Sequence, residues 1–184
     1  MARWAPPEIV SAALTGDEAA AEKLVAAVWP GCFRLALTVL GDRSLAQDAA
    51  QEACVVVHRK IRSVRSAGAF DTWLYRVVMR ESARVRRRNA VARDAPFERS
   101  FGSDDTTAVD IWRALATLSP ELREVTVLFY FDDLKSERIG EILGVPHATV
   151  RTRLARARER LRGLLEDYRD EPLPAHLEAK PYVV

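Results

Sequence analysis

From Ile9 to Val91 the apolar residues return at helical spacing, with almost no alternating runs and few of the β-branched clusters that build strands. The pattern predicts an all-helical first block. Its first helix follows the Thr15, Gly16, Asp17 turn, where Asp17 caps Glu18 to Trp29 and Pro30, lacking an amide hydrogen for the ladder, ends or kinks it. A second helix runs from about Cys32 to Leu40 and stops at Gly41 and Asp42. Ser44 is then placed to cap a third, whose apolar face holds Leu45, Ala49, Cys54, Val57 and Ile61. Gly68 opens a fourth, which carries Phe70, Trp73, Leu74, Val77, Val78 and Val85 into a run of arginines.

The periodicity fails between Asn89 and Asp110, where Pro96, Gly102, Ser103, Asp104, Asp105, Thr106 and Thr107 follow in quick succession. This reads as a linker between two helical blocks, each with its own modest core. The second block starts with Val109, Ile111, Leu115 and Leu118, after which Ser119 and Pro120 supply an N-cap and a first-turn proline. Leu122, Val125, Leu128 and Phe129 line the inner face of that helix. Ser136 to Leu143, the turn Gly144, Val145, Pro146, and a helix from about His147 to Leu165 then have the punctuation of a helix-turn-helix. Gly144 supplies the left-handed residue that ends the first helix, Val145 plugs the space between helices, and Pro146 starts the second. The tail after Asp170, with Pro172, Pro174 and Pro181, is expected to be irregular.

The chain has 184 residues, 48% hydrophobic and 29% charged, a composition that suits one ordinary domain or two small ones. The net charge of +2 conceals how the charges are distributed. Arg80, Arg84, Arg86, Arg87 and Arg88 form one basic cluster, and Arg151, Arg153, Arg156, Arg158, Arg160 and Arg162 another. Arginines alone most often mark a solvated helix face, and those of the first cluster also suit the negative end of a helix dipole. Behind the helix-turn-helix signature the second cluster means more. A helix in the major groove needs short polar residues for base edges and cations for phosphates; Thr149, Arg151, Thr152 and Arg153 supply both. Leu154, Ala155, Ala157, Leu161 and Leu164 are left to face the core. In the first cluster the upstream aromatics Phe70, Trp73 and Tyr75 allow a helix face that stacks unpaired bases while arginines hold the backbone. Phe70 and Trp73 fit the core better, which leaves Tyr75.

Cys32 and Cys54 lie in apolar surroundings without a CxxC spacing, and His58, His147 and His176 show no ligand or catalytic spacing. Buried thiols, no metal, no cofactor and no enzymatic activity are expected. No stretch approaches the roughly 20 uninterrupted apolar residues of a membrane span, so a cytoplasmic protein is expected.

These residues resemble the sigma-70 family, and within it the small extracytoplasmic-function (ECF) sigma factors that keep only regions 2 and 4. Gly41, Asp42, Ala46, Asp48, Gln51 and Glu52 resemble region 2.2, and Phe70, Trp73, Leu74, Tyr75 and Arg76 the start of region 2.3. Leu118 to Val125 is similar to the region 4.1 signature, and Thr149 to Arg158 to the region 4.2 recognition helix. The resemblance implies an all-α fold of two small helical domains joined by a flexible linker, the second containing the helix-turn-helix. It places region 2 at 9–90, the linker at 91–109, region 4 at 110–166 and the tail at 167–184. It further implies that Asp48, Gln51 and Glu52 face core RNA polymerase, and that Tyr75, Arg80, Arg84, Arg87 and Arg88 meet promoter DNA at the minus-ten element. His147, Thr149, Arg151, Thr152, Arg153 and Arg156 would meet the minus-thirty-five element. An anti-sigma protein is an implied partner, and the free chain is expected to be a monomer. Arg80 and Arg84 stand where the family often has Asn and Asp, and Gly140 where Ala is usual, a change expected to cost its helix about 1 kcal/mol. Two other readings compete: a helix-turn-helix regulator of response-regulator type, and a sigma-like polymerase-binding protein that does not melt promoters.

Overall fold

The computed structural model describes residues 4–90 and 114–165, which are helical throughout apart from short connections. The linker 91–109 and the tail 167–184, with Asp104, Asp105 and the prolines of both segments, lie outside the described residues.

Helix α1 (Pro7–Leu14) starts on a proline, whose missing amide hydrogen is no loss in a first turn, and buries Val10 and Ala13. The sequence pattern had not singled it out. Asp17 then accepts a hydrogen bond from the Ala20 amide at 3.0 Å and caps α2 (Glu18–Leu40). Here the structure corrects the expectation of two helices, because α2 runs unbroken through Pro30. The proline removes a ladder bond at an exposed position, but Leu24, Val28, Cys32, Leu35 and Val39 form one buried stripe along both halves. At about 2 kcal/mol per buried side chain, that stripe outweighs the roughly 3 kcal/mol penalty of an interior proline. By length and composition α2 could also cross a membrane. In this fold it is the central helix of the core, packed against α1, α3 and α4.

Gly41 closes α2, and Asp42 caps α3 (Arg43–Lys60) by accepting from the Leu45 amide at 2.8 Å. The cap is therefore Asp42 and not Ser44, which lies within the helix. The buried face of α3 consists of Ala46, Ala49, Ala50, Ala53, Cys54 and Val57; small residues let it lie close against α2. A short 3₁₀ turn (Ile61–Ser63) leads to α4 (Ala67–Ala90), which buries Phe70, Leu74, Val77, Val78 and Val85.

The second lobe comprises a helical turn at 114–116 followed by α5 (Pro120–Tyr130), α6 (Ser136–Leu143) and α7 (His147–Leu165). Gly144 ends α6 at φ 69°, the left-handed conformation expected of it. Gly140 is buried, and a Cβ there would stand 2.7 Å from the Val145 carbonyl oxygen. Its lack of a side chain is thus what lets the turn fold back on α6. The expected helix penalty is set against a contact that Ala would not permit.

The lobes were expected to bury separate cores. Instead Val125, Leu128, Leu134, Ile139, Val150 and Leu154 join the apolar cluster of the first lobe, while Leu115, Leu118 and Ala157 form a smaller one. Helix α6 packs on α4, and α5 meets the end of α2. Two arginines clasp this junction by capping orphan carbonyls at helix C-termini. Arg76 donates from Nε and Nη2 to the Glu141 carbonyl at 2.9 and 2.7 Å, and Arg123 donates to the Val39 carbonyl at 3.2 Å.

Candidate nucleic-acid and polymerase interfaces

The recognition helix α7 is fixed from behind and polar in front. Val150, Leu154 and Ala157 are buried, whereas His147, Arg151, Thr152 and Arg156 are exposed and Thr149 and Arg153 half-buried. Ala155, expected in the core, is exposed, because the inward positions follow 150, 154, 157 and the partly buried 161, which excludes 155; the Leu164 side chain lies outside the described residues. Thr152 donates its hydroxyl back to the Ala148 carbonyl at 3.0 Å, which leaves its methyl and oxygen at the surface. Arg153, Arg156 and Arg160 line an open hollow with Ser119, Glu121 and Leu122 at the start of α5. The Glu121 carboxyl is held below its usual range by hydrogen bonds from its own backbone and from Ser119, with Arg153 and Arg86 adding to the effect. This face offers short hydrogen-bonding side chains flanked by cations on a rigid support, which is what base-edge and phosphate contacts require.

Arg123 supports it from within. Besides Val39, its guanidinium donates to the carbonyls of Leu115, Ala116 and Leu118 at 2.9, 2.9 and 3.2 Å, binding the turn before α5 to that helix. The sequence placed Arg123 in a signature without assigning it this work.

On α4 the predicted minus-ten residues divide. Arg80, Arg84, Arg87 and Arg88 are exposed. Tyr75 is not: it is buried edge-on against Trp4 with ring centroids 4.9 Å apart, so in this arrangement it presents no stacking face. Burial raises its hydroxyl pKa, and the adjacent Asp132 of the second lobe raises it further. Burial likewise lifts Asp132 to about 6, opposed by Arg34 and by the hydrogen bond from Tyr75. Arg86 pairs across the junction with Glu124 at 3.5 Å; burial raises the Glu124 carboxyl and the arginine counters it.

Asp48 and Gln51 are exposed and Glu52 half-buried on α3, where they line a groove of about 550 Å³ with Val55, Arg88 and Asn89. Val55 is 43% exposed, an apolar centre in a polar rim. The groove thus places the three predicted polymerase residues beside the basic end of α4. Cys32 and Cys54 are both buried free thiols between α2 and α3; the hydrogen bond with Cys54, and then burial, push Cys32 up, while Cys54 is lowered by the hydrogen bond from Cys32. Among the described residues no group of His, Cys, Asp and Glu is assembled to hold a metal ion.

Two family models match: sigma-70 region 2 over residues 24–91 and sigma-70 region 4 over residues 108–161. The chain is 31% identical over 173 residues to the ECF RNA polymerase sigma factor SigE of Mycolicibacterium smegmatis, covering 85% of this chain and 67% of that one. It is also 31% identical over 172 residues to the ECF sigma factor SigW of Bacillus subtilis, covering 83% and 92%. Among solved structures it resembles the sigma factor RpoE of Bartonella quintana, crystallised with the anti-sigma factor NepR, with a TM-score of 0.64, 25% identity, and coverage of 79% and 96%. CnrH in complex with the cytosolic domain of CnrY shares the fold, with a TM-score of 0.67 at 21% identity over 88% and 97%. With both of its helical blocks matched in order, to region 2 and then to region 4, the chain belongs to the sigma-70 family, among the ECF sigma factors.

Proposed function

We propose that the chain acts as a dissociable subunit that binds core RNA polymerase through the α3 groove and directs it to a two-part promoter. The exposed α4 arginines Arg80, Arg84, Arg87 and Arg88 hold the minus-ten strand. His147, Thr149, Arg151, Thr152, Arg153 and Arg156 of α7 read the minus-thirty-five major groove. The observation that carries this reading is α7 itself, anchored by Val150, Leu154 and Ala157 behind a left-handed Gly144 turn with its opening polar residues outward. The domain limits follow as region 2 at 9–90 and region 4 at 110–166. The chain performs no catalysis of its own, works in the cytoplasm, and is held by an anti-sigma protein, as the similar RpoE is in its crystal structure. The response-regulator alternative gives no account of the match over residues 24–91.

The test is run-off transcription with core polymerase on a promoter library. The intact chain initiates at a shared two-part motif, and Arg151→Ala or Arg153→Ala lowers initiation by about 5- to 150-fold, as loss of a base or phosphate contact worth about 1–3 kcal/mol predicts. Binding to polymerase without initiation would replace this reading with that of a sigma-like regulator.

A further inference from the structure

Helix α4 carries Arg76, Arg80, Arg84 and Arg88 at intervals of four, so they form a stripe along one side with about 6 Å between successive positions. The two middle arginines converge on one carboxylate. Glu81 is 4% exposed; its Oε1 accepts a hydrogen bond from Arg80 Nε at 3.2 Å, and its Oε2 stands 3.6 Å from Arg84 Nη1. That Oε2 is buried and has no hydrogen bond of its own, so a charge withdrawn from water depends on the two guanidinium groups for its compensation. The arginines, at 58% and 59% side-chain exposure, keep most of their donors in solvent.

We propose that Glu81 is a positioning residue for promoter DNA, a buried carboxylate that holds Arg80 and Arg84 side by side so that they grip the unpaired minus-ten strand in one register. The proposal rests on the reading of α4 as the minus-ten helix. Two unrestrained arginines would bind phosphates in many arrangements; two tied to a rigid helix through one anchor bind them in few. Phosphate contacts carry no sequence information, but they decide which bases lie against the protein. Glu81 also cancels one of the two positive charges, which favours geometry over unselective attraction. The arginines that replace the family's Asn and Asp are in this way made specific by a carboxylate between them.

The experiment uses holoenzyme assembled from core polymerase and the full chain. It measures affinity for forked DNA bearing the minus-ten sequence selected in run-off transcription and for the same fork with that sequence scrambled. Glu81→Gln keeps the size of the side chain and removes its charge. It is expected to lower the ratio of the two affinities at least fivefold and to steepen the salt dependence of scrambled binding, with polymerase binding unchanged. In an Arg80→Ala, Arg84→Ala background the same change is expected to do nothing further. An unchanged ratio, or an equal loss in both backgrounds, overturns the proposal. Arg80→Lys with Arg84→Lys, a surface change that spares the fold, keeps charge but loses the planar fork and is expected to lose discrimination as well; full discrimination there would also overturn it. A wild-type holoenzyme that does not discriminate at all removes the minus-ten reading and the proposal together, whereas one that discriminates regardless of Glu81 removes the proposal alone.

Discussion

At Gly140 a propensity scale and a distance give opposite answers. Replacing a helical glycine by alanine ordinarily stabilises by about 1 kcal/mol. Here the new methyl would stand 2.7 Å from the Val145 carbonyl oxygen, which is held in the turn by the Val145 amide donating to the Gly140 carbonyl at 3.0 Å. The obstacle is backbone and cannot rotate away. Gly140→Ala is therefore expected to destabilise the second lobe by about 1–3 kcal/mol, the usual result of overpacking. Chemical denaturation monitored by circular dichroism measures it, and a midpoint that rises would mean that the turn relaxes freely. The same residue shows what a sequence conveys. The glycine is visible and its helix penalty computable, but the approaching carbonyl belongs to the folded turn and leaves no mark in the pattern.

Among the elements, those with local signals could be read directly. Pro120, and Gly144 with Pro146, fixed the ends of α5, α6 and α7 because a first-turn proline or a left-handed residue acts within its own turn, although Ser119 holds the N-cap position of α5 without the side-chain hydrogen bond expected of it. Helix α2 was misread for the complementary reason. Pro30 is a strong local stop, and it is overridden by burial of a stripe whose partners lie on α1, α3 and α4. The proline is thus tolerated and not needed, since its position is exposed and the Ala26 carbonyl lacks its ladder donor. Pro30→Ala is expected to raise stability by about 1–3 kcal/mol and the melting temperature accordingly. A fall would show instead that a bend at Pro30 fits α2 to its neighbours. The candidate site divides along the same line. The exposed face of α7, Ala155 apart, follows from helical spacing, whereas the burial of Tyr75 depends on Trp4 and on a second lobe far along the chain.

For the molecule as a whole, the docking of the two lobes was the feature least open to sequence reading. Its clasps join residues 65 and 84 positions apart and end on backbone carbonyls, which no side-chain pattern announces. The docked arrangement commits Arg76 to Glu141 and encloses Tyr75, so it competes with any use of that part of α4 for DNA. Its strength should depend on pH through Asp132, which faces Tyr75 from α4 and Arg34 from α2. Burial raises this carboxyl from 3.8 to about 6 in the docked state, and separation of the lobes returns it to water. The docked state thus binds the proton more tightly: docking is strongest when Asp132 is protonated, weakens as pH rises toward 6, and is level above that. Linkage puts the change between pH 5 and pH 7 at about tenfold in the docking equilibrium. Fluorescent labels on the exposed positions Glu22 and Glu159 should report greater separation at pH 7 than at pH 5. Asp132→Asn, which cannot ionise, should stay docked across the range and slow promoter-complex formation at pH 7. A label distance independent of pH in the wild-type chain would show that Asp132 does not govern docking, and would leave the shared apolar cluster, the Arg86–Glu124 pair and the clasps of Arg76 and Arg123 to hold the lobes together.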